Sequence, residues 1–128
     1  MKLCAILISI LITLAPQLAS AEFIRIKEFE DRTIFIETAD IIHLGNLVVF
    51  WSLIDHAEVQ TEISDKYLSS KGQWEFDCAQ KKSRQLFHAI YSGKMGGGKT
   101  IWSGSLDQKS QPIVPGSIGE DLYKHVCK

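Results

Sequence analysis

The sequence predicts an α+β fold, in which a mainly antiparallel, curled β-sheet of about six strands carries one C-terminal helix tied to it by a disulfide. Three observations lead to this prediction: short segments alternate apolar and polar side chains, one late stretch repeats apolar side chains at helical spacing, and two cysteines lie at suitable places for a bridge. The alternation is clearest in Gln73–Cys78, where Trp74, Phe76 and Cys78 share one face. Cys127 ends the helical stretch, so a bond to Cys78 would hold the helix against the sheet.

Residues 1–21 are typical of a cleaved secretory signal peptide. Lys2 gives a positive start, residues 3–15 are almost entirely apolar, and Ala19-Ser20-Ala21 is the small-x-small pattern that a signal peptidase accepts. An uncleaved N-terminal anchor is the alternative. We therefore expect residues 22–128 to form one exported domain without an integral membrane segment. The periplasm is the expected compartment, with secretion or surface display as alternatives.

Charge and cysteine count limit the classes of function and site. The formal net charge of the 128 residues is −1, which favours neither nucleic acid nor an anionic membrane as a partner. Loss of the signal peptide leaves Cys78 and Cys127, and an even number of cysteines in an exported chain indicates one disulfide. Two buried thiols are the alternative. Two cysteines so far apart gather too few ligands for a metal, so no metal site is expected.

The first half of the mature chain predicts three strands. Phe23–Glu30 and Thr33–Glu37 alternate isoleucines with polar residues and predict a hairpin. Thr38–Leu44 has no clear pattern and is compatible with a single helical turn, which Gly45-Asn46 would end. Leu47–Ile54 is apolar on both faces and predicts a central strand. Because one small helix cannot cover both faces, the second face requires curl of the sheet or a partner subunit, and a homodimer is one option.

The next predicted element is a long loop followed by a second hairpin. His56–Gly72 is polar, and a loop of that length in a small domain is often functional. Trp74–Cys78 and Leu86–Tyr91 are the predicted strands of the hairpin. They are joined by a basic turn, Lys81-Lys82-Ser83-Arg84.

The end of the chain predicts a Gly-rich loop, a short strand and the helix. Ser92–Lys99 is the loop, and Thr100–Ser103 is the strand, which carries Trp102. Ser117-Ile118-Gly119-Glu120 has the form of a capping box at a helix start. The predicted helix carries one stripe of apolar side chains that recur every four residues: Ile118, Leu122 and Val126.

The most conspicuous motif is a match to the phosphate-binding loop of nucleotide-binding proteins. Gly93, Gly98, Lys99 and Thr100 satisfy its spacing. That loop needs a helix beginning at the Lys-Thr pair, because the helix N-terminus supplies the aligned amides. The residues after Thr100 are typical of a strand and turn instead. We interpret the match as chance, expect a flexible hairpin loop there, and expect no cofactor.

The other candidate residues point to contacts with a partner and not to catalysis. The four histidines are scattered without zinc-pair spacing, and Ser52 beside Asp55-His56 lacks the surroundings of a hydrolase triad. Lys81, Lys82 and Arg84 are most simply a solvated turn, with docking of an acidic partner as the alternative. Trp102 is the tryptophan that we expect to be exposed.

The order of these landmarks resembles the surface-adhesin protein E family of small exported Gram-negative domains. The resemblance rests on three segments and covers nearly the whole mature chain: Trp74-Glu75-Phe76-Asp77-Cys78, Tyr91-Ser92-Gly93-Lys94-Met95-Gly96, and the Pro112–Ser117 stretch leading to Cys127. It implies an antiparallel sheet with a disulfide-tied C-terminal helix, and adhesion to host matrix proteins with pairing as a dimer.

Together these observations predict a non-enzymatic exported domain that binds a protein partner, either an envelope component or a host matrix component. His56–Gly72 and Ser92–Lys99 are the expected contact regions. The alternative is a small periplasmic enzyme inhibitor, or an enzyme of unknown substrate. A cleft holding ionisable groups within hydrogen-bond reach of each other would favour an enzyme.

Overall fold

A computed structural model describes residues 22–128, so the predicted signal peptide lies outside the described residues. Within residues 22–128, no helix is long and apolar enough to cross a membrane. Seven strands precede one α-helix: β1 (Phe23–Glu28), β2 (Arg32–Leu44), β3 (Leu47–Glu62), β4 (Asp65–Asp77), β5 (Lys82–Tyr91), β6 (Thr100–Ser105), β7 (Gln111–Pro112) and α1 (Ile118–Val126).

The strands form one open antiparallel sheet in chain order. β1 to β6 each pair with the next strand, and the short β7 pairs with the beginning of β5. Sequential hairpins therefore build the sheet, as expected when tight turns join antiparallel neighbours. β1 forms one edge, and β6 together with the short β7 forms the other. The predicted α+β class and the number of main strands are confirmed.

The hydrophobic core lies between α1 and one face of the sheet, which we call the helix face. Phe50 and Phe76 are fully buried at its centre, with ring centroids 4.9 Å apart in an edge-to-face arrangement. The helix contributes Leu122 and Val126, and Ile118 packs at the margin. The predicted apolar stripe is thus the buried side of α1. The remaining members of the cluster come from β2 and β3: Ile34, Ile36 and Val48.

The beginning and end of α1 are both held by specific contacts. Ser117 caps the helix, its Oγ accepting a hydrogen bond from the Glu120 backbone N–H at 3.2 Å. Glu120 Oε1 in turn accepts from the Gly116 backbone N–H at 3.4 Å. At the other end Cys127 is bonded to Cys78, with their Cα atoms 5.4 Å apart. The predicted disulfide and helix start are therefore confirmed.

The single helical turn with which Thr38–Leu44 is compatible does not form. β2 continues to Leu44, and the pairing of β2 with β3 shifts register between Glu37 and Ile42. Such an irregularity interrupts the two-residue alternation, which explains why the sequence pattern is unclear there. The reversal at Gly45-Asn46 is confirmed, with Gly45 at a positive φ of 61°.

The prediction of a long loop over His56–Gly72 is wrong. β3 extends to Glu62 and β4 begins at Asp65, so this segment is a β-hairpin with a two-residue connection. Most side chains from Ala57 to Lys66 are exposed. Because neither face is buried there, the apolar alternation that reveals a strand is limited to Val59 and Ile63, on either side of Thr61.

The basic turn is displaced from its predicted position. The chain reverses over residues 78–81, and β5 begins at Lys82. Asp77 Oδ1 accepts hydrogen bonds from the backbone N–H groups of Ala79 and Gln80, at 3.0 and 2.9 Å, and so closes the turn. Lys82 and Arg84 are strand residues, while Lys81 remains in the turn.

The second face of the sheet, which we call the opposite face, is covered in part by the chain itself. Leu53 is fully buried there, and the Gly-rich segment packs on β3 and β4 above it. Trp51 and Phe87 pack edge-to-face with centroids 5.7 Å apart. These contacts cover part of the second apolar face of β3, for which curl of the sheet or a partner subunit was expected.

Candidate interaction surface

The Gly-rich loop is anchored to the opposite face by several hydrogen bonds. Asp55 Oδ1 accepts from the Met95 backbone N–H at 2.7 Å, and its other oxygen pairs with Lys94 Nζ at 3.2 Å. Ser69 Oγ accepts from the Gly96 N–H at 2.8 Å and donates to the Gly93 carbonyl at 2.6 Å. The expectation of a flexible loop is therefore not met: polar side chains of the sheet fix its backbone.

The residues that match a phosphate-binding loop lie in this hairpin connection. Strand β6 begins at Thr100, so no helix N-terminus follows Lys99. Lys99 N–H donates to Ser92 Oγ at 2.8 Å, and the Ser92 N–H donates to the Lys99 carbonyl at 2.9 Å. Gly98 has a φ of 73°, and a Cβ there would lie 2.3 Å from Ser92 Oγ. The glycines thus serve the turn between β5 and β6.

Two members of the basic cluster, Arg84 and Lys81, contact neighbouring side chains. Arg84 donates to both carboxylate oxygens of Glu75, at 2.9 and 3.2 Å, and this hydrogen bond raises the pKa of the Arg84 guanidinium. Lys81 Nζ lies 5.6 Å from the centroid of the Tyr123 ring. Lys82 pairs in register with Asp77. Arg84 is therefore paired with a carboxylate, whereas Lys81 and Lys82 take part in none of the ion pairs found within residues 22–128.

Trp102 is exposed at the far end of the sheet, as predicted. Its side chain is 46% exposed, and it pairs in register with the buried Ile90. Ile90 pairs with Ser70 of β4, and Ser70 pairs with Ile54 of β3. Residues that pair in this way share a face, so Trp102 lies on the helix face with Ile54. The core cluster under α1 has no member from β5 or β6, so the helix does not cover this tryptophan.

A cavity of about 300 Å³ opens beside Trp102. It is lined by Trp102, Ile90 and the tip of the β3–β4 hairpin, which contributes Glu62, Ile63 and Asp65. Ile63 is fully exposed and has a φ of 57°, a conformation that β-branched residues rarely adopt. We call these five residues the Trp102 surface. It combines exposed apolar area with two carboxylates.

The carboxylates of the Trp102 surface are not neutralised by the described part of the chain. Glu62 and Asp65 face each other across the last pair of the hairpin. Neither takes part in the ion pairs found within residues 22–128. Glu62 also contributes, after burial, to the raised pKa of Tyr67. The surface is therefore acidic as well as apolar.

His56 of β3 lies partly buried where the exposed part of the β3–β4 hairpin begins. His56 packs edge-to-face on Tyr67, with ring centroids 5.7 Å apart. Burial, and then the positive charge of Arg32, lower the pKa of His56 below its usual value of 6.5. Both causes favour the neutral form of its imidazole. Among residues 22–128, no group of three or more histidine, cysteine or acidic side chains is placed to hold a metal.

The structure brings together only some of the predicted contact residues. Trp102 meets the tip of the segment that was expected to be a contact loop, whereas the Gly-rich loop lies on the opposite face. Lys82 is eight residues from Ile90 along β5, which corresponds to about 26 Å. Glu62, Ile63, Asp65 and Ile90 were missed. The alternation of Val59, Thr61 and Ile63 with polar residues was the available sign of a strand.

These features define a small α+β domain in which a half-covered open sheet is tied by a disulfide to one terminal helix. Disulfides of this kind are typical of proteins outside the cytosol. The family model for surface-adhesin protein E matches residues 23–128, and the chain belongs to that family. None of the individually curated proteins compared with it gives a significant match.

Solved structures of protein E from Haemophilus influenzae have a similar fold. One is 16% identical with a TM-score of 0.60, and the match covers 88% of each chain. A second crystal form is 14% identical with a TM-score of 0.58, covering 73% of this chain and 79% of the other. Protein E from a non-typeable strain is 15% identical with a TM-score of 0.56, covering 88% and 79%. At such identities the similarity supports the fold.

Proposed function

We propose that this chain is a non-enzymatic, exported, adhesin-like domain that binds a protein partner through the Trp102 surface. The observation that carries the proposal is an exposed tryptophan beside an acidic, apolar cavity at the edge of the sheet. Tryptophan is enriched among the residues that dominate binding energy at protein interfaces. Membership of a surface-adhesin family supports the same function. The partner is an envelope protein or a host matrix protein.

We further propose that the basic residues make a separate contact with an acidic region of the partner. A standard interface covers about 800 Å² on each partner, which is roughly 30 Å across. Lys82 pairs in register with Asp77, whose neighbour Phe76 faces α1, so Lys82 lies on the opposite face from Trp102. It is about 26 Å from Ile90 along β5, so it falls outside a patch of that size centred on Trp102. Arg84 contributes less because Glu75 already occupies its guanidinium. Exposed charges of this kind mainly steer association and contribute little to final affinity.

Binding of mature wild-type protein and a Trp102→Ala variant to immobilised matrix and envelope extracts tests the proposal. We expect the variant to bind about 30-fold more weakly to the extract that retains the wild type, as for the loss of a hot-spot side chain worth about 2 kcal/mol. Surface plasmon resonance measures the affinity. A matched Trp102→Phe variant should retain most of it, because an aromatic ring still fills the site.

Two outcomes would contradict the proposed function. One is equal retention of wild-type protein and Trp102→Ala. The other is absence of a retained partner together with turnover of a substrate, which would favour the enzyme alternative. Cell fractionation, combined with protease added to intact cells, locates the mature chain. Cleavage by the added protease would favour adhesion, which needs outward exposure. Protection within the periplasm would favour an inhibitor.

A further inference from the structure

The two edges of the sheet differ in how they are protected against added strands. β1 carries Arg25, Lys27 and Glu28, and its pairing with β2 shifts register between Arg25 and Lys27. Lys27 also pairs with Asp121 of α1 at 3.6 Å. Charged side chains and irregular pairing are the usual means by which an edge strand avoids pairing with other chains. The β1 edge is therefore protected against pairing with an added strand.

The β6 edge has little of this protection. Its sequence, Thr-Ile-Trp-Ser-Gly-Ser, contains no charged residue and no proline. β6 pairs with β5 on one side, and within the described residues it is the last strand of the sheet on the other. Its one register shift lies at its beginning, opposite Ile90 and Tyr91. The stretch from Trp102 to Ser105 is regular and open.

The register shows which backbone groups of β6 point outward. Leu106 N–H donates to the Leu86 carbonyl at 2.9 Å, so these two residues form a hydrogen-bonded pair. Such pairs alternate along an antiparallel ladder, so Trp102 and Gly104 also bond to β5. Ser103 and Ser105 therefore direct their N–H and C=O groups away from the sheet. An incoming strand would meet these groups.

The side chains beside this edge suit a particular partner. A strand added to β6 lies about 4.8 Å from it and places alternate side chains next to Trp102 on the helix face. The adjoining cavity is lined by Glu62 and Asp65 as well as by Trp102 and Ile90. A lysine or arginine can lay its apolar stem on the tryptophan and bring its charge to the carboxylates.

We infer that β6 accepts an extended segment of the protein partner as an additional antiparallel or parallel strand, with a lysine or arginine of that segment in the cavity between Trp102, Glu62 and Asp65. The inference rests on the proposed function and specifies its mode of binding. Backbone hydrogen bonds from Ser103 and Ser105 supply affinity, and the acidic cavity selects the basic side chain.

Random twelve-residue peptides displayed on phage, selected on the mature protein and then synthesised, provide the probe. We expect the selected peptides to share a lysine or arginine flanked by β-branched residues. Ser103→Pro removes an outward N–H without removing a bond to β5, so it should weaken their binding at least tenfold. Ser103→Ala keeps the N–H and should bind as the wild type does. Glu62→Gln combined with Asp65→Asn should abolish the preference for the basic residue.

The outcomes separate this inference from the proposed function. If Trp102→Ala weakens binding but Ser103→Pro does not, the surface is correct and strand addition is wrong. If Ser103→Pro lowers the melting temperature substantially, Ser105→Pro makes the same test two residues away. Selection of no peptide, or of peptides without a basic residue, would overturn the inference. So would light scattering that shows a wild-type dimer converted to a monomer by Ser103→Pro, because a second copy would then occupy the edge.

Discussion

Replacing Cys78 and Cys127 by alanine together should lower the free energy of unfolding by about 4 kcal/mol. The two residues are 49 apart in sequence, and a cross-link closing a loop of that length reduces the conformational entropy of the unfolded chain by this amount in the loop-entropy model. That is a large share of the ~5–15 kcal/mol typical of a small domain. Urea unfolding of the oxidised wild type and the double variant measures the difference.

Chemical reduction provides the matched control for this prediction. Wild-type protein held in dithiothreitol should unfold at the same urea concentration as the double alanine variant, because both lack the bridge. Tyr123 Oη still donates to the Cys78 carbonyl, at 2.7 Å in the oxidised protein, and retains some attachment of the helix. Equal stability of the oxidised wild type and the variant would contradict the stabilising role of the bridge.

Phe50→Ala should destabilise the protein by about 3–5 kcal/mol, the range for removing a buried aromatic ring. Phe50 is fully buried on β3 and packs edge-to-face on Phe76, so its loss leaves a cavity and removes an aromatic contact. Urea unfolding measures the change. Phe50→Leu is the matched control, and we expect it to cost less than half as much because most of the volume is kept.

The alternative for Phe50 is a core that repacks around the missing ring. A loss below about 1 kcal/mol for Phe50→Ala would contradict the central position of this side chain. The comparison is valid only if wild type and variant have the same slope of unfolding free energy against urea concentration. A changed slope reports a change in the unfolded or native ensemble.

The parts of the fold that bury one face were predictable from sequence. Trp74 and Phe76 alternate with polar residues because one side of β4 faces α1 and the other does not. Leu122 and Val126 recur at helical spacing for the same reason, and Ser117 marks the helix start through a local hydrogen bond. In each case the pattern reflects contacts that a single strand or helix makes along its own length.

The parts that were missed depend on contacts between distant segments. The β3–β4 hairpin tip projects with most of its side chains exposed, so no burial pattern marks Ala57 to Lys66 as strands. The Gly-rich loop looked flexible because its anchors, Asp55 and Ser69, lie far away in sequence. The position of Trp102 beside Glu62 follows from sheet order, which alternation within one strand does not specify.

The fold explains why one end of the sheet remains available for a partner. α1 and the disulfide cover the helix face over β1 to β4, and the Gly-rich loop occupies part of the opposite face. β5 and β6 extend beyond the helix and present Trp102 next to an edge without charges. The stabilising contacts and the proposed binding surface thus lie in different parts of the same sheet.

Amide hydrogen exchange, resolved for each residue of β6 in the free protein and with a selected peptide bound, tests the open edge most directly. In the free protein we expect slow exchange at Trp102 and Gly104 and fast exchange at Ser103 and Ser105, because the first pair bonds to β5 and the second faces outward. Bound peptide should slow Ser103 and Ser105. Slow exchange at all four residues without peptide, or unchanged exchange at the two serines with it, would contradict the account.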